Sequence, residues 1–365
     1  MAGAAVATLA LAGAATAAAE VTGSGASFPR IAYQLWCQDS KGACSYTSKG
    51  STGGINDFIN GTVDFGASDA PLTGEQLSDL AKKRGGSGVL YFPTLLGAVT
   101  VPTNVQGQPG ALQLRGKTLG EIFSGSITRW NDARIVSDNK TNPRTKKFKF
   151  PNQPIVLCVR QEGSGTSFNF STFLTKASAD FKSKVTAGQV PNWGGSQVKS
   201  PGNAGVASCV SQNSGAIGYV DLGDARAAGL GPKLAAIGKS EVIKVPRKVK
   251  GKTKMVTIRR LVYMAPSVPA IVRAGNVDPK KIPSNLVWDL TLSPAKTAYP
   301  IVNTTWVLAY TDFGKAGRSG SLAGVKGMLN YFYSSTEQAK LSGLGFAPLP
   351  PTYLAKAKAQ LAKLR

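Results

Sequence analysis

Ile155-Val-Leu-Cys-Val-Arg160-Gln-Glu-Gly163-Ser-Gly-Thr-Ser-Phe168 is the stretch whose reading decides the fold. Its first half is apolar and rich in β-branched residues, so Ile155–Arg160 reads as a buried strand. The Gly/Ser/Thr run reads as a loop, and Phe168–Ala177 as the helix it opens into. The same order of strand, small-residue loop and helix recurs at Gly23-Ser-Gly-Ala-Ser-Phe-Pro29, where Pro29 suits a first helical turn. It recurs again at Lys49-Gly-Ser-Thr-Gly-Gly54, ahead of the apolar pattern Ile55-Asn-Asp-Phe-Ile59. Each loop offers backbone N–H groups that glycine lets a ligand approach, hydroxyl donors, and the positive end of a helix dipole. One such loop is ordinary helix capping. Three in one chain, with Arg160 leading into the third, shift the reading toward an anion held at helix starts.

Outward from these loops, short strand patterns alternate with helical ones, which argues for an α/β protein. Strands are expected at Val89–Pro93, Ala98–Pro102, Ile155–Arg160, Ile217–Val220 and Thr304–Ala309. Helices are expected at Arg30–Trp36, Ile55–Asn60, Gly74–Lys82, Leu119–Phe123, Phe168–Ala177, Gly324–Tyr333 and Thr352–Lys363. At 365 residues and about 150 residues per domain, two domains are expected.

The chain has no histidine. That excludes a Ser-His-Asp or Cys-His centre, His-ligated zinc and a His general base. Its four cysteines form no Cys-x-x-Cys pair, so neither a metal nor a cofactor is expected. Residues 2–19 are small and apolar and end in Ala17-Ala18-Ala19 before Glu20, an export-signal pattern without a basic leader. An exported chain permits disulfides. Cys37 and Cys44 bracket a turn-like loop, and Cys158 and Cys209 lie in strand-like stretches. Of the three possible pairings, Cys37–Cys44 with Cys158–Cys209 is favoured.

Forty-three Lys and Arg against 19 Asp and Glu give a net charge of +24. Much of the excess lies in Arg144-Thr-Lys-Lys-Phe-Lys149 and in Lys239–Arg260. The alternation of the latter around Gly251-Lys252 reads as a β-hairpin. It is either a solvated surface hairpin or a patch for an anionic polymer or envelope surface. The Gly-Lys-[Ser/Thr] triplets at Gly116, Gly238 and Gly251 have Ala111, Lys233 and Pro246 five places earlier, so none is a nucleotide loop.

Beside the second loop lies Val63-Asp-Phe-Gly-Ala-Ser-Asp-Ala-Pro71. A carboxylate at Asp69 repels a fully ionised anion but accepts a hydrogen bond from a protonated one. Phosphate near neutral pH still carries a proton and sulfate does not, so an anion site holding one aspartate rejects sulfate.

These motifs closely resemble the phosphate-binding protein of the high-affinity phosphate ABC transporter. The likeness continues through Gly116-Lys-Thr-Leu-Gly-Glu-Ile-Phe-Ser-Gly-Ser-Ile-Thr-Arg-Trp-Asn131, Ser214-Gly-Ala-Ile-Gly-Tyr-Val220 and Tyr299-Pro-Ile301. The resemblance implies a two-lobed, hinged α/β periplasmic-binding-protein fold of type II (a Venus flytrap) with discontinuous domains. Residues 20–95 and 300–365 would form lobe one and 96–299 lobe two, after a signal peptide at 1–19. The chain would cross near Pro93–Leu95 and Tyr299–Ile301. It also implies a monomer in the periplasm that closes on inorganic phosphate and presents it to a membrane permease, with no catalysis and no specific nucleic acid.

Carried over by position, the hydroxyl and amide of Ser27, which stands where the family has Thr, donate to phosphate. Phe28 donates its amide, Ser51 its hydroxyl, and Asp69 accepts the phosphate proton. Arg160 makes a charge-assisted contact that can be bidentate. Ser164, Gly165 and Thr166 donate from the third helix start. Glu162, which stands where the family has Asp, holds and partly neutralises Arg160. Two other readings remain at this stage: an exported phosphatase on the same scaffold, and a polyanion-binding surface protein.

Overall fold

The computed structural model describes residues 20–40, 43–249, 252–276 and 278–365. The signal-peptide reading of 1–19 lies outside them. In chain order the strands are β1 (Val21–Gly25), β2 (Cys44–Ser48), β3 (Phe65–Ser68), β4 (Val89–Thr100), β5 (Thr103–Asn104), β6 (Gln113–Arg115) and β7 (Val156–Arg160). They continue with β8 (Gln197–Ser200), β9 (Ala216–Gly218), β10 (Val220–Asp221), β11 (Ala236–Val249), β12 (Lys252–Met264) and β13 (Val302–Tyr310).

Three sheets result. A six-stranded sheet runs β10-β4-β13-β3-β1-β2, a four-stranded sheet runs β5-β9-β7-β8, and β12-β11-β6 form a third. β1 pairs parallel with both β2 and β3, and β7 pairs parallel with β8 and β9. Parallel neighbours need crossover connections, and helices supply them. The long strand β13 joins this parallel set antiparallel to β3 and β4. All nine of its residues are buried, which is why Val302–Tyr310 lacks a polar face.

The two strands expected at Val89–Pro93 and Ala98–Pro102 are one strand, β4. Proline normally breaks a ladder. Here the register against β13 slips beside Pro93, because Thr305 faces Leu95 and Trp306 faces Pro93. Thr94 is thus the extra residue of a bulge, where proline is tolerated. The opposite edge of β4 is covered by side chains from the C-terminal segment. The carbonyls of Tyr91, Pro93 and Thr94 accept from Gln360 (2.7 Å), Tyr333 (2.8 Å) and Gln338 (2.9 Å).

β4 stays in the six-stranded sheet through Thr100, past Pro93–Leu95, and the chain enters the second sheet at Thr103. Val220–Asp221 then returns to the far edge of the first. Among the described residues no helix is long and apolar enough to cross a membrane.

Cys37 and Cys44 form one disulfide and Cys158 and Cys209 another. The first closes a loop of 7 residues and the second one of 51. Loop-closure entropy then assigns about 2 kcal/mol to the first and about 4 kcal/mol to the second. Replacing Cys158 and Cys209 together by Ala therefore lowers the urea-unfolding free energy more than replacing Cys37 and Cys44. The reverse order would mean that the unfolded chain is not what these bonds restrain.

Candidate functional site

The helices expected from Ile55 and Phe168 begin earlier, at Gly50 and Gly165. The small-residue loops are themselves first turns, invisible to an apolar pattern because they contain no apolar residue. Their backbone N–H groups have no carbonyl one turn back to bond. Gly50 carries φ +77°, and a Cβ there would stand 2.7 Å from Cγ of Glu162. Only glycine fits both demands.

Ser27, Phe28, Ser51, Asp69, Arg160, Ser164 and Thr166 are all buried, the most exposed being Arg160 at 6%; Gly165 is buried with them. The structure brings them to one place from both main sheets. Ser27 and Phe28 follow β1, Ser51 starts the helix after β2, and Asp69 follows β3. Arg160 ends β7, and Ser164–Thr166 start the helix after it.

The two sides touch directly. The Gly165 amide donates to Ser51 Oγ (3.0 Å), as does the Asp69 amide (3.2 Å). The Thr52 amide donates to the Gly163 carbonyl (3.2 Å). Asn169 Nδ2 donates to the Asp69 carbonyl (2.6 Å), and the Thr52 hydroxyl to Gln189 (2.9 Å). A Cβ on Gly165 would lie 2.5 Å from Ser51 Oγ and 2.6 Å from Asp69 Cβ.

Arg160 is held by the protein. Its Nε donates to Glu162 Oε1 (2.9 Å) and its Nη2 reaches the same oxygen. Nη1 donates to Ser164 Oγ (2.7 Å) and Asn203 Oδ1 (3.2 Å). Four of the five guanidinium N–H groups are thereby engaged, and one on Nη2 remains. This arrangement offers a single Arg160 contact rather than a bidentate one. The longer side chain of Glu162 does reach the guanidinium, and it also accepts from the Gly202 amide (3.1 Å).

Among the described residues several polar atoms here are buried without a partner: Ser27 Oγ, both carboxylate oxygens of Asp69, Thr166 Oγ1 and Asn203 Nδ2. Buried polar groups are nearly always hydrogen-bonded, so orphans gathered in one place point to a polar ligand. Ser51 and Ser164 each accept two hydrogen bonds through oxygen, which leaves each O–H proton free to donate. Among the described residues the amides of Phe28 and Thr166 donate to no backbone carbonyl. One cation, several neutral donors and one carboxylate therefore converge. Among the described residues no group of three or more His, Cys, Asp or Glu could hold a metal.

Sequence reasoning missed Asn203 and Tyr219. Asn203 lies in the first turn of the Gly202–Gln212 helix, a fourth helix start at the site. That helix is built mostly from small residues, and the stripe it buries (Asn203, Val206, Ala207 and Val210) is short and weakly apolar. The Tyr219 hydroxyl accepts from the Arg160 amide (3.2 Å) and is bonded to Ser167 Oγ (2.7 Å), bracing the strand end against the helix start. A 410 Å³ cavity opens alongside, between Lys49–Gly50, Glu162 and Pro201–Gly202.

Burial raises Asp69 to a pKa of about 7. The neighbouring Thr305 hydroxyl, which donates to the Ser68 carbonyl (3.4 Å), and the Arg160 charge oppose that rise. A carboxyl raised above its unfolded value stabilises the ligand-free fold below the unfolded pKa. That stability is lost as pH rises through the folded pKa. Thermal melting of the ligand-free protein should thus fall between about pH 4 and pH 7, and Asp69→Asn should flatten this slope. An unchanged slope in the variant would place the effect elsewhere.

The profile of the PBP superfamily domain matches residues 10–336. A phosphate-binding protein PstS of Xylella fastidiosa (strain 9a5c) is 32% identical over 355 residues, which is 94% of this chain and 85% of that protein. The phosphate-binding protein PstS of Haemophilus influenzae is 39% identical over 211 residues, 56% of this chain and 59% of that one. Among solved structures, a phosphate-binding protein from Stenotrophomonas maltophilia superposes with a TM-score of 0.66 at 21% identity, covering 93% of each chain. An ancestral soluble variant of the human phosphate-binding protein gives 0.70 at 20% identity, covering 94% of each. These two likenesses speak for the two-lobed type II fold.

Proposed function

The chain belongs to the PBP superfamily and, within it, to the PstS phosphate-binding proteins; on that premise we propose that it binds inorganic phosphate between its lobes and delivers it to an ABC-type importer. The observation that carries this reading is the convergence of orphaned donors from both sides upon one buried carboxylate. Ser27, Phe28, Ser51, Ser164, Gly165 and Thr166 donate to phosphate oxygens, and one Nη2 proton of Arg160 adds a charge-assisted contact. Glu162 and Asn203 hold Arg160 in place.

Asp69 reads the proton. Its position near neutral lets one proton be shared between carboxyl and phosphate, whichever of the two brings it. Sulfate brings none, so it meets an uncompensated like charge above pH 7. Below that, a protonated Asp69 donates to sulfate and rejection weakens.

The lobes are residues 20–100 with 300–365, and 101–299, from which Val220–Asp221 returns to the sheet of the first. The chain crosses between them past the Thr100 end of β4 and again near Tyr299–Ile301. The closed arrangement, with Gly165 against Ser51 and Asp69, is the form a membrane permease recognises. The protein acts as a monomer in the periplasm and performs no catalysis.

Calorimetric titration of the refolded, phosphate-free protein tests the reading. Tight one-to-one phosphate binding without sulfate binding at pH 8 supports it, and no binding of either by folded protein refutes it. In Asp69→Asn, sulfate affinity at pH 8 should rise by about 100-fold, since a like charge at contact costs several kcal/mol. If sulfate is still excluded, Asp69 does not read the proton. Gly165→Ala places a Cβ into Ser51 and Asp69 and should weaken phosphate by about tenfold or more. Small-angle scattering should show the variant more open, and an unchanged affinity would separate this contact from closure.

A further inference from the structure

Beyond Gly238 the hairpin leaves its sheet. β6 pairs with β11 only over Ala236–Gly238. β11 and β12 stay paired from Ile237–Met264 out to Val249–Lys252. At about 3.4 Å per residue the free ribbon is on the order of 35 Å long. Strand alternation places Val242, Lys244 and Lys248 on one face with Met255, Arg259 and Leu261 from the partner strand.

That face mixes two chemistries that water does not favour together. Val242 is 56% exposed, Met255 61% and Leu261 41%. Among the described residues these are three of seven exposed large apolar side chains, so the arm concentrates them. Among the described residues no carboxylate pairs with Lys244, Lys248 or Arg259.

At the arm's root the same face borders a cavity of 720 Å³. Arg115, Lys117, Lys176, Lys239, Arg259 and Lys296 line it, against the single acid Glu241. Lys239 and Glu241 offset one another (3.5 Å), Arg115 is bound to Asp138 (2.8 Å) and Lys176 to Asp289 (2.5 Å). Arg259 and Lys296 remain without a carboxylate partner among the described residues, and Lys117 has only Glu121 at 3.9 Å. Among the described residues no aromatic side chain lines the cavity, so it offers a nucleobase no stacking surface.

We infer that this arm is a docking surface for an anionic lipid membrane. A headgroup phosphate sits in the cavity, and Val242, Met255 and Leu261 reach the acyl boundary. A dissolved polyanion would use the cations and leave the apolar side chains in water, whereas a lipid surface takes both. One face of a ribbon two strands wide and this long offers roughly 350 Å², well short of the ~800 Å² per partner in a stable protein interface. The inference does not depend on phosphate binding in the cleft.

The test is co-sedimentation of the full chain with phosphatidylglycerol vesicles and with phosphatidylcholine vesicles at moderate salt. Binding to the first and not the second is expected. Each cation near an anionic surface contributes about fivefold, so Lys244→Glu, Lys248→Glu and Arg259→Glu together should lower binding by about 100-fold or more. Val242→Ser with Met255→Ser keeps every charge and should lower it by about fivefold. Both variants should melt like the parent and bind phosphate as it does, which separates this inference from the cleft. Three outcomes overturn it. One is no binding to phosphatidylglycerol, and another is equal binding to both lipids. The third is parental binding by the serine variant together with displacement by tripolyphosphate, which would make the arm a polyanion site.

Discussion

Gly165 meets Ser51 and Asp69 at a distance that no side chain permits, and the arrangement of the site depends on that approach. It brings a helix start from one sheet against a hydroxyl and a carboxylate carried by the other. The same approach removes water from Asp69, which is why its carboxyl rises to about 7. Burial and proximity are one constraint here.

The scaffold serves that contact by placing loop after loop at the ends of parallel strands. In open α/β sheets the helix that follows a strand starts at the strand's carboxyl end, so its unpaired amides gather there. Ser27, Ser51, Asp69 and Ser164 all follow strands in this way. The antiparallel strand β13 joins β4 to the parallel set, and C-terminal side chains cap the carbonyls of Tyr91–Thr94 on β4. Arg160 is treated differently. Four protein acceptor contacts hold its guanidinium, so it arrives pre-oriented and contributes charge more than hydrogen bonds.

Several features were legible as pattern. The strand Val156–Arg160, the helix after it, the Lys239–Arg260 hairpin and the list of small-residue loops follow from apolar alternation, glycine and charge. Helix starts at Gly50 and Gly165 were not legible, because Gly, Ser and Thr give no periodicity and read equally as loop. Asn203 was missed for the same reason, on a helix of small residues. Tyr219 was legible as an apolar strand residue but not as a brace, because its partners Arg160 and Ser167 are 59 and 52 positions away. β4 looked like two strands because Pro93 interrupts the pattern, and only pairing with β13 shows the bulge that absorbs it.

Residue chemistry by itself determined that this chain has no histidine-based centre. It also determined that Gly/Ser/Thr runs sit where helices begin, and that one aspartate stands among donors suited to an anion. Those properties are local and travel with the sequence. The tertiary structure alone decided which donors face one another, that Arg160 is spent on Glu162, Ser164 and Asn203, and that Asp69 is dry. The facing donors and the dry aspartate depend on segments 100 and 114 residues apart meeting within hydrogen-bonding distance. No local pattern specifies such a distance, because it results from the packing of two whole sheets.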